Sequence, residues 1–105
     1  SLRQAGSSSL RDDDDRPYSA LDRRFGEIAN ILEDKNITLC LENTNSKYPD
    51  NVLGRPDQLC DHASWGFQLC KRVNSPRVKM LFDIYHAQVQ DGNVVATIRD
   101  NIQWI

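Results

Sequence analysis

Glu42 closes the apolar run ITLCLE, Asp83 closes RVKMLFD, and His86 follows three positions after Asp83. Carboxylates and an imidazole are the side chains that hold divalent cations and carry protons. Each also has a plain reading. A strand-terminal acid serves as a helix cap or surface charge, and His86 serves as a loop histidine bonded to a carbonyl or to Asp83. The alternative is geometric: if both acids end neighbouring parallel strands, they meet at one rim, where their repulsion is relieved by a cation. Hard oxygen donors favour Mg2+ or Mn2+, with zinc or cobalt admitted if imidazole joins, and His86 would then donate to a substrate oxygen. His62, beside a helix start, reads as structural, and Trp65 and Phe67 as packing.

The elements that must position these residues can be read from periodicity. Leu21, Phe25, Ile28, Ala29 and Leu32 form the apolar stripe of a helix over 19–34, with Ser19 as N-cap, Asp22 near its start and Asn36 as a left-handed stop. Residues 37–42 are β-rich and apolar on both faces, which predicts a strand covered on both sides. Residues 43–60, rich in Asn, Pro, Asp and Gly, predict a long loop. Asp61 caps a helix over 61–73, in which Gly66 permits close approach to a sheet, and Asn74-Ser75-Pro76 ends it. A second strand spans 77–83, and Asp91-Gly92 turns the chain into a helix over 92–104. The order α-β-α-β-α is that of an α/β protein with two parallel strands. Alternation places Thr38, Cys40 and Glu42 on one side of the first strand, and Lys79, Leu81 and Asp83 on one side of the second. Two strands leave open edges, so further strands or another chain must complete the sheet, and the isolated chain is expected to be marginal and association-prone.

Composition narrows the class. The 105 residues are 39% hydrophobic and 27% charged, enough for one modest core. A net charge of −2 gives no broad positive field for nucleic acid. No run approaches the roughly 18 apolar residues of a membrane span, and SLRQAGSSSLRDDDD lacks the apolar segment of an export signal. Residues 1–18 read as a disordered tail, its four adjacent Asp a solvated run. Cys40, Cys60 and Cys70 have neither zinc spacing nor the density of a disulfide framework, so they read as reduced thiols of a cytoplasmic protein.

ITLCLENTNSK, CDHASWGFQLCKRVNSP and above all LFDIYHAQ followed by DGNV and TIRDNI resemble the xylose-isomerase-like TIM barrels of the sugar isomerase and epimerase superfamily, most closely its hydroxypyruvate isomerase branch. The likeness runs over residues 19–105, whereas 1–16 resemble nothing in that family. It implies that Glu42 binds a divalent metal and also acts as one of two acid/base carboxylates. By the same resemblance Asp83 is a metal ligand, and His86 holds a substrate oxygen. Such enzymes commonly carry Pro or another residue where this chain has Asn43. They complete the metal shell with a His or Gln on the next strand and supply a second catalytic Glu from the last, neither of which falls within these 105 residues. A whole (β/α)8 barrel takes about 250 residues, so the resemblance implies a partial TIM barrel around strands five and six.

The implied reaction is aldose-ketose interconversion of a small hydroxy-aldehyde, ketose or hydroxypyruvate by proton transfer through an enediolate, with negligible activity expected of this piece alone. Three other readings stand beside it. One is a zinc hydrolase of the endonuclease IV type, which wants a basic DNA-facing surface and more histidines. The others are a non-catalytic relic, and a module completed by another chain.

Overall fold

The computed structural model describes residues 12–47 and 59–105. Strands β1 (Leu39–Glu42) and β2 (Val78–Leu81) pair in parallel, with Leu39 opposite Val78, Cys40 opposite Lys79, Leu41 opposite Met80 and Glu42 opposite Leu81. Alternation then sorts the faces. Val78 and Met80 are buried and Leu41 packs on the same core, while Cys40, Glu42 and Leu81 are exposed. Among the described residues the sheet is therefore covered on one face, not on both as the apolar run predicts.

The covering layer is helix α2 (Ala63–Val73), which buries Phe67, Leu69, Cys70 and Val73 against β2. Gly66 makes the approach close: a Cβ there would run into the Met80 thioether and come within 3.0 Å of Cys60 Sγ. Asn74, with φ 55°, ends α2 in the left-handed conformation, its N–H donating to Cys70 O at 2.8 Å. Helix α1 (Asp12–Lys35) packs outside α2 through Leu21, Phe25, Ala29 and Leu32, while Ile28 faces largely outward at 38% exposure. Asn36, at φ 61°, takes the left-handed conformation after α1 as expected.

Three expectations are corrected. Helix α1 begins at Asp12, so Ser19 is not its N-cap and residues 12–18 are not part of a tail. An acidic run suits the positive end of a helix dipole, and the chain is helical from Asp12 onward, where the sequence suggests a solvated tail. Asp22 therefore lies within the helix, and its carboxylate takes Nε and Nη2 of Arg72, each at 2.9 Å, tying α1 to α2. The third correction concerns the segment after β2, where the chain forms helix α3 (Ile84–Gln90). The single helix expected over 92–104 is α4 (Val94–Asn101) followed by a 3-10 turn at Ile102–Trp104. Gly92 and Asn93, at φ 72° and 53°, make the turn between α3 and α4. The remainder of the proposed tail, residues 1–11, and residues 48–58 of the proposed loop lie outside the described residues. No helix among the described residues is long and apolar enough to cross a membrane.

The closing turn returns to the sheet. Lys79 donates to the Gln103 carbonyl, and its ammonium lies 5.8 Å from the centre of the Trp104 ring.

Candidate functional site at the C-terminal edge of the sheet

The parallel register brings the C-terminal ends of β1 and β2 to one rim. Glu42 is the last residue of β1 and exposed, and its carboxylate has no hydrogen-bonded or ionic partner among the described residues. Asp83 lies two positions past Leu81, the register partner of Glu42. It is the N-cap of α3: Oδ1 accepts from the His86 N–H at 3.0 Å, and Oδ2 lies 3.8 Å from His86 Nε2. The capping reading of Asp83 is thus realised. Capping engages one lone pair of one oxygen, so it leaves acceptor capacity on a carboxylate only a quarter exposed. His86 stands on the first turn of α3, not in a loop, with its ring edge-on to Tyr85 at 5.2 Å between centres.

Two residues without a role in the sequence reading hold this arrangement. Asn43 is fully buried, and its amide spans Asp83: Nδ2 donates to the Asp83 carbonyl at 3.1 Å, and Oδ1 accepts the Asp83 N–H at 2.8 Å. The side chain thereby continues the inter-strand ladder beyond the last backbone pair. Asn45 is also fully buried and places Nδ2 2.6 Å from His86 Nδ1. One signal could have revealed both. Leu39, Leu41, Asn43 and Asn45 share one parity, so the strand alternation carries the two amides inward past the end of β1.

Next to them, Ser46 Oγ donates to Asp61 Oδ2 at 2.9 Å, and its N–H donates to Gln90 Oε1 at 3.0 Å. Asp61 is therefore a loop anchor, since His62 holds the N-cap position of α2 without a side-chain cap bond. His62 Nδ1 is 2.7 Å from Asp91 Oδ1, in agreement with its structural reading. The segment 43–46 is thus sewn to both ends of α3.

Removal of the Asn43 amide by Asn43→Ala leaves the Asp83 N–H and C=O without this partner in a part-buried setting. The expected loss is about 2–3 kcal/mol in urea denaturation, with faster hydrogen exchange at the Asp83 amide. An unchanged exchange rate would show that the amide bridge does not hold Asp83.

Among the described residues no three His, Cys, Asp or Glu side chains gather as a complete metal-binding group. Glu42 and Asp83 fit a hard divalent cation by donor type, but two carboxylates are only part of a six-oxygen shell, so tight binding needs further protein donors. A cavity of about 470 Å3 lies between α2 and α4, lined by Lys71, Asp91, Asn93, Thr97 and Asp100 among others. It includes none of Glu42, Asp83 and His86, so its size does not make it the reactive site.

The thiols are divided by burial. Cys40 is exposed, whereas burial, reinforced by the Asp61 charge, pushes Cys60 from the ordinary 9.0 to about 12, and burial pushes Cys70 to about 11. Below pH 9 both buried thiols stay protonated whether the chain is folded or not. Above it the unfolded chain releases protons that the folded chain keeps, so stability should fall as pH rises from 9 through 11 to 12. Iodoacetamide at pH 8 is expected to modify Cys40 alone in the folded chain. Equal labelling of all three would contradict the buried positions of the other two.

The model of the xylose isomerase-like TIM barrel family matches residues 4–105, and the chain belongs to that family. The match takes in the Ser-rich and acidic segment that the sequence resemblance leaves out. Among curated proteins, the 2-oxo-tetronate isomerase of Cupriavidus necator is 30% identical over 78 residues, 73% of this chain and 27% of that protein. A Mus musculus protein named "Putative hydroxypyruvate isomerase" is 28% identical over 72 residues, 69% of this chain and 24% of that protein. The chain thus spans about a quarter of the length of these relatives. No solved structure matches it.

Proposed function

We propose that this chain is part of a metal-dependent isomerase or epimerase of small sugars or keto acids, similar to hydroxypyruvate isomerase, and contributes one wall of its active site. The observation that carries the reading is the parallel register, which sets Glu42 and Asp83 at the same sheet edge with His86 beside Asp83. Glu42 and Asp83 would hold a divalent cation, Mg2+ or Mn2+ by donor type, together with donors from outside these residues. When bound, the ion supplies Lewis acidity toward a carbonyl and hydroxyl oxygen of the substrate. Glu42, an exposed carboxylate with no described partner, takes or returns the proton on the carbon beside the carbonyl. Asp83 keeps His86 in place through the α3 cap, and His86 donates to a substrate oxygen.

Since a second acid/base carboxylate and the rest of the shell must come from other strands, the isolated chain should show no detectable hydroxypyruvate isomerisation with Mn2+ or Mg2+. Turnover by the chain alone would refute the partial-site reading. A hybrid barrel, in which this chain replaces its matched segment of the Cupriavidus necator enzyme, should isomerise that enzyme's substrate. A folded hybrid with no activity would count against the isomerase reading.

A further inference from the structure

We infer that Asn45 is a positioning residue that fixes His86 as the neutral imidazole protonated on Nε2, so that the ring presents an N–H at the sheet edge. Oδ1 of Asn45 accepts the Lys47 backbone N–H at 3.0 Å. An N–H can be answered only by the amide oxygen, so the orientation of the Asn45 amide is set, and its NH2 end faces His86 Nδ1 at 2.6 Å. That group is a donor, and Nδ1 must therefore be the bare, accepting nitrogen. The proton of the neutral ring then resides on Nε2. Nε2 lies 3.8 Å from Asp83 Oδ2, beyond hydrogen-bond length, so its N–H is not committed to that carboxylate.

Burial makes the device rigid. Asn45 is fully buried and the His86 side chain is 16% exposed, so neither group exchanges this partner freely for water. The other histidine supplies an internal contrast. His62 has Nδ1 2.7 Å from the Asp91 carboxylate, which only accepts, and Nε2 3.4 Å from the Gln90 amide nitrogen, which only donates. Its neutral ring carries the proton on Nδ1. The two histidines of the chain thus have opposite tautomers, each dictated by the group facing Nδ1.

The tautomer rests on these hydrogen bonds alone, whereas the use of the Nε2 proton on a substrate oxygen rests on the isomerase reading. The test is 15N NMR of the histidine rings in the 105-residue chain, at a pH about two units above the ordinary histidine value, with His62→Gln assigning the signals. The wild-type chain should show His86 with Nδ1 bare and Nε2 protonated, and His62 the reverse. Asn45→Asp keeps the shape and the acceptor for the Lys47 N–H but turns the facing group into a carboxylate. It should move the His86 proton to Nδ1 while leaving the His62 signals in place. A wild-type His86 with Nδ1 protonated would overturn the inference without any variant. So would a folded Asn45→Asp chain, judged by unchanged His62 signals, in which His86 Nδ1 remains bare. If the tautomers are as stated but the hybrid barrel is inactive, the reading of the site fails while the role of Asn45 stands.

Discussion

Glu42→Gln in the hybrid barrel is expected to lower isomerase turnover by about 10²- to 10⁴-fold, the range that a positioned acid/base group contributes. The substitution keeps shape and removes charge and basicity. Glu42 is exposed and its carboxylate has no partner among the described residues, so the loss of its charge should change stability by no more than about 0.5 kcal/mol. The drop in rate can then be assigned to chemistry and not to unfolding. Steady-state kinetics beside a urea melt of the same hybrid separate the two. A folded variant that keeps more than about a tenth of the parent rate would remove Glu42 from proton transfer.

Leu69→Ala should have the largest effect on folding. Leu69 is 1% exposed at the centre of α2, in the cluster that joins α2 to Val78 and Met80 of β2 and, through Ala29, to α1. Truncation in such a core costs about 2–5 kcal/mol, because the cavity collapses only in part. A chain of this length has a total stability of roughly 5–15 kcal/mol, and this sheet leaves one face with Leu81 exposed at 49%. The variant should therefore lose much or all of its cooperative melt by circular dichroism. A melt displaced by less than about 1 kcal/mol would mean that α2 is not the element on which the sheet depends.

Much of this fold was legible because it is written in periodicities. The stripe on α1 and the runs 37–42 and 77–83 specify an α/β unit. Asn36, Asn74 and Gly92 mark its turns through backbone conformations that other residues adopt less readily. What escaped was decided by local competition. The segment IYHAQVQ is too short for a clear helical stripe, and it is the Asp83 cap, together with the Asn43 bridge, that makes α3 form where a strand end and loop were expected. Likewise, no propensity distinguishes a loop asparagine from one that continues a strand ladder by its side chain. Asn43 and Asn45 therefore read as loop composition in the sequence, and only their partners, 40 and 41 positions away, distinguish them. The sequence singles out Glu42, Asp83 and His86, and the structure bonds Asp83 to His86 while setting Glu42 at the same edge with no hydrogen bond or ion pair to either. Their roles toward a metal and a substrate belong to the proposed isomerase function.

The most direct test of that proposal is a titration of the 15N-labelled chain with Mn2+, read as paramagnetic broadening residue by residue. If Glu42 and Asp83 share a cation, their amides and that of His86 should broaden first. Glu42→Gln or Asp83→Asn should then weaken the effect at least tenfold, as losing one of two charged donors is no milder than losing an outer-shell partner. Asp83→Asn retains an N-cap residue, so α3 should persist in that variant. Broadening confined to the acidic run at Asp12–Asp15, with the sheet edge untouched at every concentration, would contradict the claim that these two acids hold a metal together.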